Sequence, residues 1–122
     1  MPLAKNLMSA GFSAGQANAL GGTMFNLTIT AAGSTQGTAT ALVADTNVIT
    51  TATSLQGVQI YNGQIADSQT IFNQTLVPIY VYPPSGDSIN QLTVNTGFIL
   101  SPQTGAVVEK VSNSQWIGIL SA

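Results

Sequence analysis

The feature that most restricts the fold of this sequence is a series of short runs in which apolar and polar residues alternate. Residues 25–30, FNLTIT, place Phe25, Leu27 and Ile29 on one face of an extended chain and polar side chains on the other. A period of two is typical of a half-buried β-strand. Comparable runs recur as far as the C-terminus at intervals of about 8 to 12 residues, separated by turn-forming residues. The pattern therefore predicts an all-β fold.

The predicted strands share β-branched or aromatic residues and are bounded by Gly, Pro, Asn, Asp or Ser. They are residues 24–30, 41–44, 47–53, 57–61, 64–67, 70–73, 76–82, 92–94, 98–100, 106–111 and 115–120. Asn62-Gly63 is the strongest hairpin signal and predicts an antiparallel pair of strands on either side of it. Pro78 has no N–H to donate, which predicts a sheet edge or a bulge there. Such short antiparallel strands indicate a β-sandwich, a jelly roll or a small barrel, and no internal repeat is evident.

The N-terminal 22 residues differ in character from the rest of the chain. Ser13 is suited to cap a short Ala-rich helix, and Gly21-Gly22 is suited to end it. With 122 residues in all, the chain has the length of one domain. We therefore expect an N-terminal arm or short helix over residues 1–22 and a β domain over residues 23–122. The N-terminal segment is expected either to order on a neighbouring chain or to plug the end of a barrel.

Charged residues are scarce, although a typical domain devotes about a quarter of its residues to them. The six are Lys5, Asp45, Asp67, Asp87, Glu109 and Lys110, for a net charge of −2. Solubility must then come from Ser, Thr, Asn and Gln, or from covering the surface with further copies of the chain, so we expect self-association. Two Lys far apart in sequence make no basic patch, and no run reaches the roughly 18 apolar residues of a membrane span. Nucleic acid and membrane are therefore not expected as partners.

The residues that carry most enzyme chemistry are absent from this chain. It has no His and no Cys, which excludes the common catalytic triads and the usual zinc sites. Lys110 lies in an alternating run beside Glu109, a pattern that favours a structural role over that of a catalytic base. A calcium site built from carbonyl groups with Asp67 or Asp87 is the arrangement that the composition leaves open. We expect no enzymatic activity, no cofactor and no metal, and we expect Trp116 to pack in the core.

One segment carries a resemblance to a known class of proteins. Residues 80–97, YVYPPSGDSINQLTVNTG, resemble a string that recurs in small β-rich virion proteins of tailed bacteriophages, and Phe98 and Gln115-Trp116 continue the likeness. The matching positions are Val81, Tyr82, Pro83, Pro84, Gly86, Ile89, Asn90, Leu92, Asn95 and Gly97. Residues 11–17 and 33–42 are also similar to segments of these proteins, whereas residues 55–78 depart from the pattern. The resemblance covers most of the chain loosely and its central motif well.

The resemblance implies a capsid decoration or cement protein, which binds the outside of a phage head and stabilises the shell by bridging major capsid protein subunits. It also implies a homo-oligomer, expected to be a trimer, located on the virion. The residues that we expect at interfaces are Leu3, Leu7, Phe12, Tyr80, Tyr82, Pro83 and Pro84, with residues 1–22 contacting the shell or a neighbouring subunit. The alternative is a head-fibre, tail or receptor-binding β module that contacts host glycans through exposed Tyr and Asn.

Overall fold

A computed structural model describes residues 24–121, which contain ten β-strands and one turn of 3₁₀ helix. The predicted arm or helix over residues 1–22 lies outside the described residues. The strands are β1 Phe25–Thr30, β2 Thr40–Ala41, β3 Thr46–Thr51, β4 Gly57–Gln59, β5 Ser68–Asn73, β6 Ile79–Tyr82, β7 Ser88–Ile89, β8 Phe98–Leu100, β9 Gly105–Lys110 and β10 Gln115–Leu120. The 3₁₀ turn is Gln36–Thr38. The predicted all-β class is therefore confirmed.

The strands form two sheets that the chain visits in turn. The large sheet has the order β1-β3-β5-β9-β10-β7, and the small sheet has the order β2-β4-β6-β8. Because the first six strands alternate between the sheets, β1–β2, β3–β4 and β5–β6 make three stacked coils. The arrangement is a β-solenoid-like stack of two sheets. It is not clearly the antiparallel sandwich, jelly roll or barrel that the sequence led us to expect.

The pairing of the strands explains why the antiparallel expectation was wrong. Five of the eight pairings in the described part of the chain are parallel. Phe25 pairs with Thr46, 21 positions further on, and Thr46 pairs with Thr70 after 24 more. Parallel neighbours need a crossover connection, and here a strand of the opposite sheet supplies it. Hairpin signals are local, so they carry no information about partners at this separation.

The Asn62-Gly63 signal does not produce the predicted hairpin. Residues 64–67 form a turn, and β4 lies between two parallel neighbours, β2 and β6. The Asp67 carboxylate accepts a hydrogen bond from the Gln64 N–H at 2.8 Å, and the Asp67 N–H donates to the Gln64 carbonyl at 2.9 Å. These two bonds close a tight turn where the second strand of a hairpin would have begun.

Two further strand predictions need correction. Pro78 precedes β6, which lies in the interior of the small sheet between β4 and β8, so the predicted edge or bulge is wrong. Pro78 stays outside the ladder, where its missing N–H removes no strand hydrogen bond. Residues 92–94 are not a strand, and the short strand of this region is β7, which begins four residues earlier.

One hydrophobic core joins the two sheets. Its buried members are Ile29, Ala31, Leu42, Ile49, Val58, Ile60, Ile71, Ile79, Val81, Ile89, Leu100, Ala106, Val108 and Trp116. Burying an Ile, Leu or Val side chain stabilises a fold by about 1.5–3 kcal/mol, so this cluster dominates the packing. Trp116 is 1% exposed, which confirms its predicted place in the core.

Candidate interaction surface

The outer face of the large sheet carries a row of aligned side chains that crosses five strands. The register pairs Phe25 with Thr46, Thr46 with Thr70, Thr70 with Val107, and Val107 with Ile119. The sequence neighbours of the two central members, Gln69 and Ile71 around Thr70 and Ala106 and Val108 around Val107, are buried and point into the core. The row therefore begins and ends with apolar side chains that face away from the core, Phe25 at 69% exposed and Ile119 at 70%.

Exposed apolar side chains continue on both sides of this row. We use the name apolar face for the exposed members Phe25, Leu27, Phe72, Val107, Ile117 and Ile119. Glu109 is the one charged side chain that the strands of the large sheet place outward, because Lys110 is buried. β3 separates Phe25 and Leu27 from the other four members, which lie on the adjacent strands β5, β9 and β10. Clusters of exposed apolar side chains often mark a contact with another macromolecule.

A shallow depression lies in the middle of the apolar face. It has a volume of about 260 Å³ and is lined by Phe72, Val107 and Ile119 together with Gly105. A Cβ atom at position 105 would lie 2.7 Å from the Phe72 ring, so the absence of a side chain there lets the ring pack against the strand. The depression can accept an apolar side chain of a partner.

The exposure of Phe25 and Leu27 differs from the sequence-based expectation that they would be buried with Ile29. Asn26 pairs with Asn47 and Ile29 pairs with Ile49. Between these two pairs β1 advances three residues, whereas β3 advances two. An extra residue of this kind is a β-bulge, and it reverses which residues of a strand point inward. Ile29 therefore enters the core, whereas Phe25 and Leu27 turn outward.

The expected interface residues that lie within the described part of the chain do not belong to the apolar face. Leu3, Leu7 and Phe12 lie outside the described residues. Tyr80 is half-buried on the small sheet and stacks on Tyr82, with ring centroids 5.5 Å apart. Tyr82, Pro83 and Pro84 are buried within the chain itself, and burial raises the pKa of Tyr82. Little of these three side chains is therefore left for a partner to contact.

The motif that carries the phage resemblance holds a loop together. The Asn95 side-chain oxygen accepts a hydrogen bond from the Gly86 N–H at 2.7 Å, and the Asn95 N–H donates to the Asp87 carbonyl at 2.9 Å. The Asn90 side chain forms two hydrogen bonds with the backbone of Gly118, at 2.8 and 3.1 Å. These motif residues therefore fix residues 83–97 against the final strand, which is a contribution to folding.

Each acidic side chain in the described residues has a structural partner. Asp45 accepts from the Tyr61 hydroxyl, Asp87 accepts from the Trp116 indole, and Asp67 closes the turn described above. Glu109 lies 3.3 Å from the Ser68 hydroxyl. Among residues 24–121 no three His, Cys, Asp or Glu side chains lie close enough together to hold a metal ion.

Lys110 is buried and is held by neutral groups. Its Nζ donates to Asn62 Oδ1 at 2.8 Å and to the Gly63 carbonyl at 3.0 Å, and it lies 5.9 Å from the centre of the Trp116 ring. These contacts tie the loop before β5 to the end of β9. The arrangement gives Lys110 a structural role.

Sequence reasoning missed the apolar face, although β10 contained a signal for it. Residues 115–120, QWIGIL, are apolar at Trp116 on one face and at Ile117 and Ile119 on the other. Strands that are apolar on both faces are typical of sheets covered on both sides. The same alternation that places Trp116 in the core therefore predicts a partner for Ile117 and Ile119.

Among residues 24–121, the structure has no helix with the length and apolarity of a membrane span. Comparison with known proteins finds no family model and no curated protein that matches the sequence. The functional argument therefore depends on the surface and on the sequence motif.

Proposed function

We propose that this chain is a non-enzymatic structural protein of a phage virion, a cement protein that bridges subunits of the major capsid protein. The observation that carries the proposal is the apolar face of the large sheet. A chain whose surface is mostly uncharged acts by binding to other proteins. The phage-like motif suggests that the protein it binds belongs to a phage particle.

The size of the apolar face indicates how it would be used. Five strands spaced about 4.8 Å apart, each about 20 Å long, cover roughly 480 Å². A standard interface buries about 800 Å² on each partner, so one face alone supports a weak contact. Weak contacts become effective when they are repeated, because each later contact within an oligomer is intramolecular. A trimer seated on a shell meets that requirement.

The scarcity of charge suits this role. Removing an ion from water costs several kcal/mol, and the attraction of a partner ion often fails to offset that cost. The outer face of the large sheet presents apolar and Thr side chains, and Glu109 is the one charged side chain that its strands place outward. Contact with a neutral shell surface would therefore remove water from one ion at most.

The test combines two measurements on the full chain. Sedimentation gives the mass in solution, and mass spectrometry of purified virions from the source gives the copy number per particle. A trimer present in many copies supports the proposal. A monomer that is absent from particles contradicts it, and selective binding to a glycan array by the purified chain would favour the receptor-binding alternative.

A further inference from the structure

The two sheets leave one end of the stack uncovered within residues 24–121. β1 is the edge strand of the large sheet and β2 is the edge strand of the small sheet, and both belong to the first coil. A cavity of about 170 Å³ lies between them, with Asn26, Thr28, Ala41 and Val43 among its lining residues. We call this cavity and its rim the open end.

Asn47, which also lines the cavity, lacks a hydrogen-bond donor for its side-chain oxygen. Its Nδ2 donates to the carbonyls of Ala44 at 2.9 Å and Thr70 at 3.3 Å, whereas Oδ1 is buried and accepts from no group in the described residues. The residue is 0% exposed. Leaving a buried acceptor unpaired costs about 1–3 kcal/mol. An N–H or O–H group that reached Asn47 Oδ1 at the open end would therefore stabilise the fold.

The rim of the open end is also apolar. Met24, Phe25, Leu27 and Val43 are between 53% and 69% exposed, and all four lie in or beside the first coil. An uncovered edge strand with apolar neighbours invites pairing with other chains. Stacked folds avoid this by covering their terminal repeat with a cap.

We propose that residues 1–22 of the same chain cover the open end, placing Leu3, Leu7 or Phe12 against its apolar rim and an N–H or O–H group on Asn47 Oδ1. The point of attachment supports this occupant. The Met24 carbonyl accepts hydrogen bonds from the N–H groups of Asp45 and Thr46 at 2.9 and 3.1 Å, which fixes the start of β1 beside the second coil. The N-terminal segment therefore joins the described chain at the edge strand itself.

The length and composition of the segment fit the open end. Sheets pack about 10 Å apart and a six-residue strand is about 20 Å long, so 22 residues suffice to cover the space between the edge strands. Gly21-Gly22 stands just before β1, where a segment that covers the first coil would need the chain to reverse, and Gly adopts the backbone angles of such a turn readily. Lys5 is the single charged residue of the segment, so little ion desolvation opposes docking.

This inference does not depend on the proposed function, because a cap belongs to the folded chain whether or not the chain binds a shell. It gives residues 1–22 a site on their own chain, which is one of the two roles that the sequence left open, the other being a contact with a neighbouring subunit or the shell. A chain that fails to bind particles but protects its open end would contradict only the proposed function.

The test measures thiol reactivity at the open end in the full chain, which contains no Cys of its own. Thr28→Cys is compared with Thr93→Cys, a matched exposed Thr in the loop between β7 and β8. With a maleimide reagent, we expect the thiol at position 28 to react at least tenfold more slowly, at a rate independent of protein concentration. Adding Leu3→Ser, Leu7→Ser and Phe12→Ser together should raise that rate to the control value.

Two results would overturn the proposal. Equal rates at positions 28 and 93 in the otherwise unchanged chain would mean that the open end is bare. Slow labelling that disappears on dilution would mean that a second copy covers it. Hydrogen exchange on the unmodified chain gives an independent readout, because β1 amides that do not bond to β3 should be protected by the cap, and their exchange at the rate of a free peptide would contradict it.

Discussion

The Trp116 indole N–H donates a hydrogen bond to Asp87 Oδ2 at 2.9 Å, joining two residues that are 29 positions apart and both buried. The bond links the last strand to the loop that precedes β7. The Trp116 ring thereby fills the core, and its N–H supplies the hydrogen-bond donor that the buried Asp87 carboxylate needs.

Replacing Trp116 by Phe should lower the free energy of unfolding by about 1–3 kcal/mol beyond the loss of ring area, because Asp87 is left buried without its donor. Asp87→Asn is the matched control, since an amide retains an oxygen acceptor, and we expect a smaller loss. Urea unfolding followed by circular dichroism measures both, because Trp116 is the only Trp of the chain. Equal losses in the two variants would contradict this account.

Asn73→Asp should be among the most destabilising of the substitutions that keep the size of the side chain. Asn73 Nδ2 donates to the carbonyls of Val77, Leu100 and Ser101 at 2.9, 3.1 and 3.3 Å. A carboxylate would turn an oxygen toward these three carbonyls, so we expect a loss of about 2–5 kcal/mol. Asn113→Asp, in the exposed turn before β10, should change stability by less than about 0.5 kcal/mol. Thermal melts of the two variants test this.

Gly97→Ala should destabilise the fold through a steric clash. A Cβ at position 97 would lie 2.8 Å from the Tyr82 ring and 2.9 Å from the Val81 carbonyl oxygen. Overpacking of this kind costs about 1–3 kcal/mol. Gly37→Ala is the control, because a Cβ there meets nothing within 4 Å. Chemical denaturation should show a clear loss in the free energy of unfolding for Gly97→Ala alone. A similar loss for Gly37→Ala would point to altered chain flexibility, and not to a steric clash, as the cause.

Stability should fall as the pH rises above about 10 because of Tyr61. Burial, with a further contribution from the hydrogen bond to Asp45, raises the pKa of Tyr61 well above its ordinary value of 10.0. Above about pH 10 the Tyr61 hydroxyl loses its proton in the unfolded chain but keeps it in the folded chain, so rising pH increasingly favours unfolding. Below about pH 10 the hydroxyl is protonated in both the folded and the unfolded chain. Tyr61→Phe should reduce the alkaline loss of stability, and Tyr80→Phe, which leaves the Tyr61–Asp45 bond intact, should reduce it less. Unfolding at a series of pH values measures the slopes.

Ile119→Ser should weaken binding to phage shells while leaving the fold and the oligomer intact, because Ile119 is 70% exposed at the edge of the depression in the apolar face. Ile99→Ser is a matched control on the small sheet, where Ile99 is 47% exposed. We expect co-sedimentation with shells that lack the protein to show binding at least tenfold weaker for the Ile119 variant. Equal behaviour of the two variants would place the contact elsewhere than on the apolar face.

The presence of most strands followed from local pattern. Alternation and β-branched residues identified β1, β3, β5, β8, β9 and β10 within one or two residues at most ends, and Trp116 was assigned to the core. Two of the errors arose where the backbone departs locally from a regular strand. Asp67 closes a turn in place of a strand, and the bulge in β1 reverses Phe25 and Leu27.

The sequence by itself determined that the chain forms short strands, that it has little charge with which to act, and that Trp116 packs inward. Only the tertiary structure decided that the strands stack in parallel coils and that Phe72, Val107 and Ile119 meet on one outer face. The reason is physical, since alternation depends on each residue and its neighbours. Register depends instead on which residues some 20 positions away complete the core, as when the buried residues Ile29, Ile49 and Asn73 stack in successive coils.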